Sequence, residues 1–193
     1  MVTESSCSVT HLRRRPVNDC QGPAILRKSA RLARGPKGSA AFYSMNQGQV
    51  MDKIMLRLTV VDDYPPVASE GVWAERQPDG LYRIANLPFY SQDACYEDDV
   101  EVQVEADGLK WFRRVGRSSG NSTLRLVFFD AGRARPPEVL ARINALGCSW
   151  EGMSKAFFAV NVPASVSLDS VLEYLQECFE QDWLDYESGL LRQ

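Results

Sequence analysis

The sequence predicts an α+β protein in which a small five-stranded β barrel, or a strongly curved sheet, precedes a ferredoxin-like β-α-β-β-α-β unit. Two observations favour this class. Between residues 51 and 117, short alternating segments are separated by tight turns, which is typical of small barrels. Between residues 118 and 193, strand patterns alternate with two amphipathic helical patterns in the order of a split βαβ motif.

The predicted strands of the first half show the two-residue alternation, or the β-branched and aromatic residues, that strands favour. These segments are Lys53–Val61, Glu70–Arg76, Leu81–Asn86, Asp99–Ala106 and Leu109–Val115. Pro78–Gly80 and Asp107-Gly108 lie between neighbouring segments, and glycine tolerates the positive φ that a hairpin turn needs. The first half therefore contains two predicted hairpins.

The second half predicts two helices packed on one face of a four-stranded antiparallel sheet. Pro136 and Glu138 suit the first turn of one helix and Gly147 suits its end, while Ser167 is a candidate N-cap for the next. The predicted strands are Thr123–Phe129, Cys148–Met153, Ala156–Val162 and Trp183–Leu190. A single mixed sheet that continues from the first half is the alternative.

Charge divides the chain into unlike parts. Residues 1–50 hold eight Lys or Arg and two acidic residues, whereas residues 51–193 hold 14 basic and 23 acidic residues. We interpret residues 1–50 as a disordered basic extension, followed by a small β domain at 51–117 and the ferredoxin-like domain at 118–193. The extension could bind nucleic acid or an acidic surface, could be a transit peptide, or could lie upstream of a native start at Met45 or Met51. The last interpretation is favoured, because the first strand directly follows Met51.

Several classes of function are not indicated. Residues 51–193, which we call the body, carry a net charge of -9, and this disfavours nucleic-acid binding. No apolar run in the sequence is long enough for a membrane span. The five cysteines contain no CxxC and suggest a reducing, cytoplasmic compartment. The single histidine is His11, so residues 51–193 lack the base of a catalytic triad and the histidine of a zinc site. We therefore expect no metal and no cofactor.

Five stretches of the body resemble an uncharacterised bacterial family catalogued as a domain of unknown function. They are SEGVWAE at 69–75, IANLPF at 84–89, EDDV at 97–100, SSGNSTLR at 118–125 and AVNVP at 159–163. The resemblance spans about residues 53–189, and a histidine often stands in the family pattern where this chain has Asn121. It implies the fold and an intracellular bacterial origin, and it transfers no mechanism.

A polar segment between the two halves is the first candidate ligand site. Its hydroxyls, amide and backbone N–H groups could hold an anion or a carbonyl, and Arg125 could add a two-pronged donor. The candidate residues are Ser119, Gly120, Asn121, Ser122, Thr123 and Arg125. The alternative is an ordinary turn whose side chains bond their own backbone.

A second candidate combines Trp73 with Glu75, Asn86 and Phe89. Trp73 and Glu75 share one face of a predicted strand, and Asn86 ends the paired strand. A tryptophan beside a carboxylate and an amide could recognise a cationic or amide-bearing ligand. The alternative places the tryptophan in the core and the glutamate in solvent at the rim.

Three further features are weaker. Glu97, Asp98 and Asp99, with Asp93 nearby, could bind a divalent cation, but their spacing matches no calcium loop. Glu151 follows Trp150 on a strand interpreted as central, and we expect it to be exposed on the open face of the sheet. Such a face can bind RNA, but this sequence has no RNP motif.

These features lead to two functional hypotheses. The first is a non-catalytic intracellular module that binds a protein partner with a basic surface, for example as an immunity protein or antitoxin against a basic toxin. The second is a small-molecule-sensing domain, or an enzyme that needs no histidine, with its site where the two halves meet. The sequence alone leaves the question of catalysis open and favours the first hypothesis.

Overall fold

The computed structural model describes residues 50–193, and the predicted basic extension at residues 1–50 lies outside these residues apart from Val50. Nine strands and two helices follow one another in the described part. They are β1 Met51–Arg57, β2 Ser69–Arg76, β3 Tyr82–Ile84, β4 Asp99–Val104, β5 Lys110–Arg117, β6 Ser122–Phe128, α1 Pro136–Ala145, β7 Ser149–Gly152, β8 Phe157–Val162, α2 Leu168–Glu180 and β9 Leu184–Leu190. None of the helices within residues 50–193 has the length and apolar content needed to cross a membrane.

Strands β1 to β5 form a closed barrel in chain order. The neighbouring pairs are antiparallel, and β1 closes the barrel by pairing parallel with β5. Alternate residues point inward, so that Ile54, Val72, Ile84 and Val100 are buried in the barrel core. Gly108 turns the β4–β5 hairpin with a φ of +79°. The structure thus has the barrel rather than an open curved sheet.

The remaining strands form a separate sheet in the order β7-β8-β6-β9, with antiparallel pairing throughout. This is the strand order of a ferredoxin-like unit, and the predicted α+β class is confirmed. The alternative of one mixed sheet is wrong. One face of the sheet carries Leu124, Leu126 and Phe128, and these residues pack with apolar residues of both helices such as Ile143 and Leu175.

Local signals place the helices where the sequence predicts them. Pro136 begins α1, and Gly147 follows that helix with a φ of +93°. The backbone N–H of Ser170 donates to Ser167 Oγ at 3.3 Å, which confirms Ser167 as the N-cap of α2. The apolar stripes of both helices are buried against the sheet.

The second face of the sheet is covered, which corrects the expected open face. Every residue of β6 is buried, although Thr123, Arg125 and Val127 point away from the helices. The cover is the segment 85–98 between β3 and β4, which we name the covering loop. Glu151 also differs from expectation: it lies on β7, which is an edge strand and not a central one, and it is half-buried.

Candidate functional site

The covering loop is held from the barrel side by a single carboxylate. Glu70, on β2, accepts hydrogen bonds from three consecutive backbone N–H groups of the loop. Their donors are Phe89 at 2.9 Å, Tyr90 at 3.1 Å and Ser91 at 2.6 Å. Three successive amides that converge on one carboxylate form an anion-binding nest. In this protein the nest is already filled by its own glutamate.

The same loop is held from the sheet side by Arg125. Its Nη2 donates to the carbonyl oxygens of Tyr90 at 2.8 Å and Ser91 at 3.0 Å. Its Nη1 donates to Glu187 at 2.8 Å, and the hydroxyl of Tyr64 donates to the same carboxylate oxygen at 3.1 Å. Arg125 is only 1% exposed, so these bonds replace the water that its two Nη atoms lose on folding, while its Nε has no partner among the described residues. The loop is therefore clamped between barrel and sheet.

A second buried carboxylate, Asp98, ties the far end of the loop to the C-terminal residues. It is fully buried and accepts hydrogen bonds from the backbone N–H of Ser119 at 2.8 Å and of Cys95 at 2.7 Å. Arg192 binds both of its oxygens, one of them at 2.8 Å. The charge of Asp98 is thus balanced by a guanidinium in a bidentate pair.

The polar side chains of the first predicted site take part in the same framework. Asn121 Nδ2 donates to the carbonyl of Tyr96 at 3.2 Å, and its Oδ1 accepts from the N–H of Ala164 at 3.3 Å. The hydroxyl of Thr123 donates to Cys95 Sγ at 3.5 Å. Ser122 Oγ accepts from the backbone N–H of Arg192.

The last two residues of the first predicted site are Ser119 and Gly120. Ser119 Oγ donates to Asp98 at 3.0 Å, and Gly120 has a φ of +78°, a backbone conformation that glycine adopts most readily. The structure therefore brings Ser119, Asn121, Thr123 and Arg125 together with the covering loop, whereas Ser122 bonds Arg192 and Gly120 bonds Ser118. Most of their hydrogen-bonding groups are used within the protein, but Arg125 Nε has no partner among the described residues.

The second predicted site is split by the fold. The side chain of Trp73 lies outside the barrel and is 47% exposed, while its backbone N–H donates to Asn86 Oδ1 at 2.6 Å. Phe89 packs against Phe157 instead, with ring centroids 5.6 Å apart. Glu75 is half-buried on β2. Within residues 50–193, no hydrogen bond or ring contact joins Trp73 to the segment 118–125.

Two of the four acids before β4 are bound to arginines. Asp99 accepts hydrogen bonds from Nε of Arg83 at 2.8 Å and from its Nη2 at 3.0 Å, while Asp98 binds Arg192 as described. Among the described residues, no three His, Cys, Asp or Glu side chains are grouped so that they could hold a metal ion. Asp98 and Asp99 thus pair with cations of the chain itself, whereas Glu97 accepts from the amide of Asn121 at 3.5 Å.

Glu151 is a feature whose position the sequence did not reveal. Its Oε1 accepts from the backbone N–H of Leu87 at 3.0 Å, so it lies under the start of the covering loop. Burial raises the pKa of this carboxyl, and the hydrogen bond from Leu87 acts in the opposite direction. No lysine or arginine of residues 50–193 lies within ion-pair distance of it. The register places it in one row across the sheet with Ala159, Arg125 and Glu187.

Helix α2 carries a second set of acidic groups without cationic partners. Asp169, Glu173 and Glu177 are exposed and recur every four residues, so they form one stripe along the helix. The last turn of α2 contains no basic residue. No ion pair within the described part of the chain involves these three side chains. We call them the α2 acidic stripe.

The comparisons with known proteins agree with this fold. A model of a family described as a domain of unknown function, DUF4265, matches residues 70–186. The chain belongs to this family. The match runs from Glu70 in β2 to Tyr186, the third residue of β9, and includes both carboxylates, Glu70 and Asp98, that hold the covering loop.

A solved structure supports the fold of this chain independently of the family match. The chain is similar to a hypothetical protein from Neisseria gonorrhoeae with a TM-score of 0.65 and 20% sequence identity, and the match covers 76% of this chain and 99% of that chain. At this identity the likeness shows the fold alone. A search of curated proteins gives no match.

Proposed function

We propose that this protein is a non-catalytic intracellular module that binds a protein partner with a basic surface. The α2 acidic stripe is the observation that carries the proposal. Like charges four residues apart destabilise a helix by about 0.2–0.5 kcal/mol per pair. Acidic residues near the C-terminal end are also unfavourable, because the helix dipole is negative there. Packing α2 against the sheet does not require either feature.

A basic partner would remove both costs. Its lysines and arginines would neutralise the stripe and would be guided to it over a distance by the charge of the body, which amounts to -9 for residues 51–193. A toxin with a basic surface, held by an immunity protein or antitoxin, is one concrete version of such a partner.

The hydrogen bonding of segment 118–125, where the two halves meet, supports a binding role over catalysis. Asn121, Thr123 and Arg125 are bonded within the protein, and residues 51–193 contain no histidine that could act as a general base. A small-molecule-sensing domain, or an enzyme that needs no histidine, remains the alternative proposal for the interface. A thermal-shift screen against metabolites separates the two, because a sensor is stabilised by about 2.7 kcal/mol when its ligand reaches 100 times Kd.

The test compares two variants that remove the same number of charges. In the first, Asp169→Asn, Glu173→Gln and Glu177→Gln neutralise the α2 acidic stripe. In the second, Asp63→Asn, Asp93→Asn and Asp130→Asn neutralise three acids that are exposed elsewhere. Proteins retained from the native host by immobilised wild-type protein are identified, and the candidate partner is purified for titration calorimetry.

The proposal predicts a basic partner whose affinity falls steeply with salt and drops at least about tenfold in the stripe variant, but not in the control variant. A partner that binds both variants equally well, or whose affinity does not change with salt, would show that the α2 acidic stripe is not the binding surface.

A further inference from the structure

The carboxylate of Glu151 is bound on one side only. Oε1 accepts from the N–H of Leu87, whereas Oε2 has no hydrogen-bond partner within residues 50–193. The side chain is half-buried on the edge strand β7, and no cation of the described residues neutralises it. A charge that is partly removed from water without a counterion lowers stability, so its retention calls for an explanation.

A second unsatisfied acceptor lies on the neighbouring strand. Asn161, on β8, is 3% exposed; its Nδ2 donates to Ser149 Oγ at 3.3 Å, but its Oδ1 has no partner. The register pairs Ser149 with Asn161 and Glu151 with Ala159. Glu151 and Asn161 are therefore diagonal neighbours on one face of the sheet, about 7–8 Å apart, within reach of one ligand group that has several donors.

We propose that Glu151 and Asn161 form a recognition site for a single ammonium or guanidinium group. The group donates to Glu151 Oε2 and to Asn161 Oδ1. Both unsatisfied groups are acceptors, and one is charged, so the matching ligand is a cationic donor rather than a neutral amide or an anion. Ser149, which accepts a hydrogen bond from the amide of Asn161, is exposed beside this site.

This inference goes beyond the proposed function, because it does not involve the α2 acidic stripe. The cation could belong to a lysine or arginine side chain of a protein or to a free amine, and the recognising chemistry is the same. Both sources place one positive group at the edge of the sheet, where the covering loop begins.

The experiment is a titration followed by NMR, with methylguanidinium and methylammonium as probes at constant ionic strength. The reporters are the side-chain amide of Asn161 and the backbone amide of Leu87. The proposal predicts saturable shifts at both reporters and an affinity at least about tenfold lower in Glu151→Gln, which keeps the shape of the side chain and removes its charge. Glu180→Gln makes the same exchange at an exposed position of α2 outside the α2 acidic stripe, and it is expected to leave the titration unchanged.

A second variant keeps the test informative if Glu151→Gln is poorly folded. Asn161→Ser retains Glu151 and removes the unsatisfied amide oxygen, and it is expected to weaken binding about threefold. A second pair of probes, N-acetyl-arginine amide and N-acetyl-lysine amide, identifies the source of the cation. If they bind more tightly than the simple cations, the cation belongs to a protein side chain. If they bind equally well, it belongs to a free amine. Shifts that rise linearly without saturation, or that are the same in Glu151→Gln, would overturn the proposal.

Discussion

The clamped part of the covering loop and the edge strand β7 differ in how far their buried polar groups are paired. In the clamp, Glu70 and Asp98 each accept from two or more donors, and Arg125 donates to three acceptors although its Nε has no partner among the described residues. At the edge, Glu151 has one partner and Asn161 keeps an unsatisfied oxygen. Satisfied buried groups fix one arrangement of the chain, whereas unsatisfied ones weaken it. We infer that the clamp fixes the fold, and the proposed recognition site lies at the edge.

The sharpest way to test this comparison is to remove Arg125. Arg125→Met keeps much of the volume but removes the cation that pairs with Glu187, which is left with the Tyr64 hydroxyl alone among the described residues, and the donor to two loop carbonyls. Removing one partner of a buried ion pair destabilises a protein by about 3–5 kcal/mol. Urea unfolding followed by tryptophan fluorescence measures this loss. Arg142→Met, at an exposed position of α1, is the matched control; a similar stability for both variants would contradict the architectural role.

The second largest effect is expected at the other end of the loop. Asp98→Asn removes the charge that Arg192 pairs with and turns one acceptor into a donor that faces the N–H group of either Ser119 or Cys95, which donate to different oxygens of Asp98. We expect unfolding free energy to fall by about 3 kcal/mol. Combining the change with Arg192→Met should cost much less than the sum of the single changes, because each removes the same contact. Simple additivity would mean that the pair is not coupled.

Glu70→Gln tests the barrel side of the clamp with a smaller change. The amide keeps one acceptor oxygen but places an NH2 group toward the loop amides of Phe89, Tyr90 and Ser91. The expected loss is about 1–3 kcal/mol, the cost of leaving buried donors unsatisfied. Differential scanning calorimetry gives the change, and an unaltered Tm would show that the three hydrogen bonds contribute nothing to stability.

At the edge of the sheet, we expect the opposite effect on stability from that of the three substitutions above. Burial raises the pKa of Glu151, so the folded state holds this proton more tightly than the unfolded chain. The stability that this provides is present below the ordinary pKa of glutamate and is lost as the pH rises through the raised value. At pH 7, Glu151→Gln should therefore be neutral or stabilising, by less than about 1 kcal/mol.

The pH dependence gives the check for this variant. Wild type should lose stability relative to Glu151→Gln between acidic and neutral pH, as followed by urea unfolding at each pH. A variant that is markedly less stable than wild type at neutral pH would place Glu151 among the architectural residues instead.

Local patterns in the sequence predict most elements of the fold. The alternation in β4, the Asp107-Gly108 turn and Ser167 as N-cap are each decided by residues close in the chain. β6 could not be interpreted in the same way. Its leucines alternate with Thr123 and Arg125, a pattern that normally indicates one face in water, but here the second face is covered by a distant loop.

Local sequence patterns also do not predict the partners of the candidate site. The polar groups of segment 118–125 stand out in the sequence, and several of them contact the covering loop in the structure. Their partners are mostly backbone atoms and the carboxylates of Asp98 and Glu187, for which no sequence spacing exists. Glu151 stands out in the sequence as a lone acid, but the pattern predicts a central strand there, because edge and central strands of four to six residues look alike in sequence.

Hydrogen exchange of the loop amides tests the central claim most directly. Phe89, Tyr90 and Ser91 lie outside every helix and strand, so an ordinary surface loop would exchange their amide protons rapidly. If Glu70 and Arg125 clamp the loop, these amides exchange as slowly as those in the centre of β6, through global unfolding. Exchange of all three at the rate of an open loop, with β6 still protected, would contradict the account.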